Sequence, residues 1–183
     1  MSKTFNAGRL DVVAFAQAGA TLSGADPLRK YERLVRELHA PQPDLAVAWR
    51  ARGGQRKAVN GSLRPSIHLV AGAELPLTCQ RCMGEVLTPV AVDRHFIFVD
   101  DEDTAAALDD ESDDDVLAMA PDFDLHGLIE DELLMALPLV PRHGECPQGV
   151  RLSAQSADFD AAQDEKSSPF AALAALKKGG DGA

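Results

Sequence analysis

RPSIHLVAGAELPLTCQRCMGEVLTPVAVDRHFIFVD, residues 64–100, holds two β-like runs on either side of a cysteine pair. In the first, Ile67, Leu69 and Ala71 alternate with Ser66, His68 and Val70, the period of two expected of a strand with one buried face. The second, residues 85–100, is rich in Val, Ile and Phe, which suit a pleated, half-buried surface. An antiparallel meander is the economical arrangement, with Cys79 and Cys82 in the connection between the two strands. Pro89 has no N–H to give a ladder, which places it at an edge or a bulge.

Upstream, Leu45, Val47 and Trp49 alternate in the same way before RARGGQRK, residues 50–57, giving a strand that runs into a turn. Trp49, beside Arg50 and Arg52, is either a base-stacking residue or core, and the alternation favours core. Earlier still, Leu28, Tyr31, Leu34, Val35 and Leu38 recur at three and four, with Asp26 as cap and Pro27 at the first turn, which predicts a helix over 27–39. Its other face carries Arg29, Lys30, Arg33 and Arg36, either a solvated face or a phosphate contact.

Downstream, residues 100–115 place ten carboxylates in sixteen positions. Such self-repulsion predicts a mobile acidic loop over about 100–118, and the run lacks the ligand spacing of an EF-hand. Leu125, Leu128, Ile129, Leu133 and Leu137 then form a helical stripe, opened by Asp124 and closed by Pro138. Residues 151–183 are weakly patterned and end in PFAALAALKK followed by GGDGA, so they read as a largely disordered tail with one short motif. The expected fold is therefore α+β: an antiparallel sheet or partly closed barrel flanked by a few helices, in a single domain over 1–150.

Bulk composition narrows the class. The chain has 183 residues, enough for one real core without a metal or disulfide to make up for small size. Three cysteines, an odd count, do not build a secreted framework. MSKTFNAGRLDVVAFAQAG lacks the basic and apolar regions of an export signal, so the expectation is a cytoplasmic protein with reduced thiols. No stretch approaches the roughly 20 apolar residues of a membrane helix, and no membrane partner is expected. The net charge of −11 is unevenly spread: residues 1–64 hold 11 Lys and Arg against 5 Asp and Glu, and residues 65–183 hold 7 against 24. Arg29, Arg33, Arg36, Arg50, Arg52, Arg56, Lys57 and Arg64 are the candidates for RNA or partner contact.

Recognisable chemistry is confined to CQRC and HGEC, which supply Cys79, Cys82, His143 and Cys146. Two thiol or imidazole pairs suit a tetrahedral structural zinc, with Gly84 easing the backbone turn. The alternatives are cysteines packed as small apolar residues and, less well supported, a redox pair, since β-like sequence follows where a helix would be needed. RGGQ lacks the Lys and Ser/Thr of a phosphate-binding loop, nothing marks a thiolate and its base, and no enzyme signature is present.

Three blocks carry a resemblance to a known family: Cys79, Arg81 and Cys82; Glu130, Asp131, Glu132, Leu133, Ala136, Leu137, Pro138, Pro141 and His143; and Pro169, Phe170, Ala171, Leu173 and Lys177. Together they resemble the YceD family, the large ribosomal RNA subunit accumulation proteins. The resemblance implies a bacterial cytoplasmic factor supporting synthesis, processing or stability of large-subunit (23S) ribosomal RNA, without known catalysis. Its partner would be ribosomal RNA or a pre-ribosomal particle, met directly or through a basic protein. A zinc-stabilised protein-interaction module and an RNA-processing enzyme are the other readings.

Overall fold

In the computed structural model, residues 4–40, 42, 44–57, 61–147 and 149 are described. The chain divides into Met1–Cys146 and Pro147–Ala183, and the expected tail with its PFAALAALKK motif, including Pro169 and Phe170, lies outside the described residues.

The first unit is built on a five-stranded sheet in the order β1-β2-β3-β4-β5. Strands β1 (Thr21–Pro27), β2 (Ala46–Lys57), β3 (Leu63–Thr78) and β4 (Glu85–Val99) form an antiparallel meander, and β5 (Asp115–Ala118) joins β4 in parallel. The α+β class is as expected; the sheet is open, and its last pair is parallel. β3 and β4 are the two runs read from residues 64–100, and the cysteine turn joins them. β5 pairs only with Phe96, Ile97, Phe98 and Val99, so Pro89 sits on the uncovered edge of β4.

One sheet face is the core. Val47, Trp49, Ala51, Ile67, Leu69, Ala71, Leu75, Val90, Val92, Phe96 and Phe98 alternate inward and are buried. Helix α4 (Leu125–Met135) closes that face with Leu125, Ile129 and Leu133, and Asp124 caps it by accepting the His126 N–H at 3.0 Å. Helix α1 (Val12–Gln17) contributes Val12 and Phe15. Its backbone lies so close to β2 that a Cβ on Gly53 would stand 2.5 Å from the Phe15 carbonyl oxygen, which explains a glycine within a strand.

Three local expectations are corrected. The helix predicted over 27–39 is a 3₁₀ turn (Leu28–Lys30) and a short α2 (Glu32–Arg36), broken at Tyr31, whose ψ of 79° is not helical. Asp26 does not cap it; its carboxylate takes the Trp49 indole N–H at 2.6 Å and the Tyr31 hydroxyl at 3.1 Å. The strand that was to end in RARGGQRK continues to Lys57, paired along its length with β3. The acidic stretch, expected as a mobile loop, contains α3 (Glu102–Asp109) and β5. Asp101 caps α3 through the Thr104 N–H at 2.8 Å, and Glu102 and Asp103 in its first turn favour the positive end of the helix. Ala105 and Leu108 pack on Val99 and Val116. Arg64 to Asp100, Arg56 to Asp114 and Arg94 to Asp115 offset part of the charge. The cap and the apolar side of α3 outweigh the repulsion among its carboxylates.

Candidate metal centre

β3 delivers Cys79 fully buried at its end, and the chain turns back into β4 within six residues. The Cys79 N–H donates to the Gly84 carbonyl at 2.8 Å, and the Met83 N–H returns to the Cys79 carbonyl at 2.9 Å. Met83, at φ 61°, is the residue in the left-handed region, a role the sequence reading gave to Gly84. Beyond α4, Pro138 sits exposed in the exit and residues 141–146 come back to this turn, fastened by the Gln80 N–H donating to the Pro141 carbonyl at 2.8 Å.

These two segments bring Cys79, Cys82, His143 and Cys146 together, with one ligand atom of each within 4.8 Å of all the others. Cys82 Sγ lies 3.5 Å from His143 Nδ1. Zinc–sulfur and zinc–nitrogen bonds of about 2.3 and 2.0 Å at tetrahedral angles would put such a pair about 3.5 Å apart. Three soft sulfurs and an imidazole nitrogen are a donor set that fits zinc, and four protein donors complete a tetrahedron.

Electrostatics in the turn act in opposite directions on its two thiols. Burial acts to raise the Cys79 pKa, but the backbone amides of Cys82, His143 and Arg81, with the His143 side chain, outweigh it and lower it to about 5. At Cys82 the Gly84 amide acts to lower the pKa, yet burial and the neighbouring Cys146 and Cys79 leave it raised. Adjacent sulfurs resist sharing more negative charge unless a cation enters. Arg81 supplies part of that compensation: its Nε donates to Cys146 Sγ at 3.0 Å, and its other arm to the carbonyls of His143 and Gly144 at 3.0 and 3.1 Å. The sequence reading named Arg81 only as a family residue; this bridging role had no signal in the spacing.

Of the other candidates, Arg50, Arg52 and Arg56 share the outer face of β2, with Arg64 of β3 directly opposite Arg56, whereas Arg29, Arg33 and Arg36 lie on the 3₁₀ turn and α2. Arg33 is held by Glu130 at 2.9 Å and Asp131 at 2.6 Å, Arg56 by Asp114 at 2.6 Å, and Arg64 by Asp100 at 3.0 Å. Glu130 also accepts the N–H groups of Arg33 and Leu34, tying α4 to the start of α2. Arg29, Arg36, Arg50, Arg52 and Lys57 are exposed, with no ion pair among the described residues. Arg50 and Arg52 point from the sheet's outer face, while Arg29 lies in the 3₁₀ turn and Arg36 ends α2. Trp49 is core, as expected. Glu132, the third acid of the motif, is buried.

A hairpin knuckle and a distant His-x2-Cys strap meet at one end of a small α+β sheet, where their four side chains could hold a metal ion. A sequence model described as "Large ribosomal RNA subunit accumulation protein YceD" matches residues 67–177, and the chain belongs to the YceD family. The chain is 45% identical over 60 residues to the large ribosomal RNA subunit accumulation protein YceD of Haemophilus influenzae, covering 31% of this chain and 33% of that protein. The matched region thus spans about a third of that relative's length. No solved structure matches.

Proposed function

We propose that this protein is a non-enzymatic ribosome-biogenesis factor of the cytoplasm that supports synthesis, processing or stability of large-subunit (23S) ribosomal RNA, on a scaffold held by structural zinc. The name of the Haemophilus influenzae relative supports the ribosomal role. One observation carries the non-enzymatic reading: the Cys79, Cys82, His143 and Cys146 donors lie within 4.8 Å of one another, so a tetrahedral ion there would have no open position for water or substrate.

The charge distribution favours a protein-mediated route to the particle. Three of the eight candidate cations are committed to carboxylates of this chain, and the whole chain carries −11, which weakens broad attraction to phosphate. A basic protein of the pre-ribosomal particle is the complementary partner. Direct RNA contact is the second reading, supported by unpaired Arg50 and Arg52 on the outer sheet face. Deleting the protein is expected to lower 23S relative to 16S ribosomal RNA; an unchanged ratio overturns the role. Purified protein is expected to leave precursor rRNA intact, and cleavage abolished by substituting one defined acid or histidine would establish an enzyme instead.

A further inference from the structure

β5 pairs only with the last four residues of β4, and among the described residues no strand continues its column in front of Asp115. Over residues 86–94 no described residue pairs with the outer side of β4, and Leu87, Pro89, Ala91 and Asp93 are exposed there. An edge strand of this length is a template for another chain. Pro89 blunts part of it, since it offers no N–H, and residues 91–94 remain beyond the proline.

Beside that stretch a cavity of about 270 Å³ is lined by Ala91, Val92, Asp93, Arg94, Glu132 and Met135. Glu132 reaches it from α4 with a side chain only 6% exposed. Its cationic neighbour, Arg94 Nε, stands 3.6 Å away. Arg94 is also shared with Asp115 at 3.5 Å. Burial raises the Glu132 pKa, Arg94 lowers it, and Asp115 and Asp131 raise it. By geometry, Arg94 faces two carboxylates, Glu132 and Asp115. An edge strand that served only as a solvated boundary would have no use for a buried carboxylate beside it.

We infer that the open edge of β4 at residues 91–94 accepts an extended, lysine- or arginine-bearing protein segment as an added strand, with one cationic side chain entering the cavity to meet Glu132. Main-chain hydrogen bonds would hold the segment, and the carboxylate would select the positive side chain. The inference rests on the proposal that the partner is a basic protein, and it says where that protein docks.

The test uses the full chain and a twelve-residue peptide of alternating lysine and valine, with its glutamate–valine counterpart and a single-stranded RNA 20-mer as competitors. Amide hydrogen exchange is expected to slow at residues 91–94 on adding the lysine peptide alone, and Glu132→Gln is expected to weaken its binding on the order of tenfold or more while leaving the fold and the metal content unchanged. Unaltered exchange at residues 91–94, equal binding by Glu132→Gln, or protection of the same amides by RNA in place of peptide each overturns the inference. The two readings fail separately. Unaltered exchange with a lowered 23S to 16S ratio in the deletion strain removes the edge site alone; peptide-induced protection with an unchanged ratio removes the ribosomal role alone.

Discussion

Arg81 and Asp26 each hold together segments far apart in sequence, and each does so through three partners or more. Arg81 joins the cysteine turn to residues 143–146, and replacing it with Gln removes the charge beside Cys146 and the fork that reaches two carbonyls. Zinc release to a chelator is expected to be about 10-fold faster in Arg81→Gln, followed by a colorimetric zinc indicator. Asp26 accepts hydrogen bonds from Trp49, Tyr31 and Lys30, and the His126 ring, 3.3 Å from it, packs edge-on against Trp49. Asp26→Ala leaves the indole N–H without its acceptor and is expected to destabilise by about 2–4 kcal/mol in urea unfolding.

The same cluster sets an acid limit on stability. Burial acts against the Asp26 charge, but hydrogen bonds from Trp49, Lys30 and Tyr31 outweigh it and lower the pKa. Its contribution is present above the ordinary carboxyl value of about 4 and is lost as pH falls through the folded value. For His126, burial first and then Lys30 lower the pKa, so the unfolded chain takes the proton first once pH drops below about 6.5, and stability falls from there downward. The urea midpoint is expected to be lower at pH 5.5 than at 7.5, and His126→Gln should narrow the gap. The remainder belongs partly to His95, lowered by burial and then by His68 and Arg56. An undiminished gap in His126→Gln would remove this assignment.

At the scale of elements, α3 is the place where a sequence rule and the fold disagree. Its cap is worth about 1 kcal/mol, so Asp101→Ala is expected to destabilise by that amount and to speed amide exchange in Glu102–Asp109 before any other helix. Long alternating strands were legible because burial on one face writes a period of two into Val47 and Trp49, into Ile67 and Leu69, and into Val90 and Val92. α4 was legible from its stripe and Asp124. α3 was not, because its apolar side is small, Ala105 and Leu108, and its carboxylates mask it. β1 escaped because Thr21–Pro27 contains Ser, Gly, Asp and Pro and no fully buried residue; it exists by pairing with β2. α2 was overextended because the Leu28, Tyr31 and Leu34 spacing serves a 3₁₀ turn and a short helix equally well.

For the molecule as a whole, the four candidate ligands could be named from sequence because Cys-x2-Cys and His-x2-Cys are pairs of ligand types, but only the return of residues 141–146 to the β3–β4 turn joins the pairs. The basic candidates were legible as composition, but which of them stay unpaired was not, since ion pairing is decided by folded neighbours: Arg33, Arg56 and Arg64 meet carboxylates far along the chain. What results is a sheet whose cysteine end is strapped to the exit of α4, a geometry suited to presenting surfaces. The central claim is that the strap is closed by zinc. Zinc measured on protein purified without added metal should come to about one equivalent per chain, falling to near zero in a Cys79→Ser, Cys146→Ser double variant. Far less than one equivalent in the unaltered chain would contradict it.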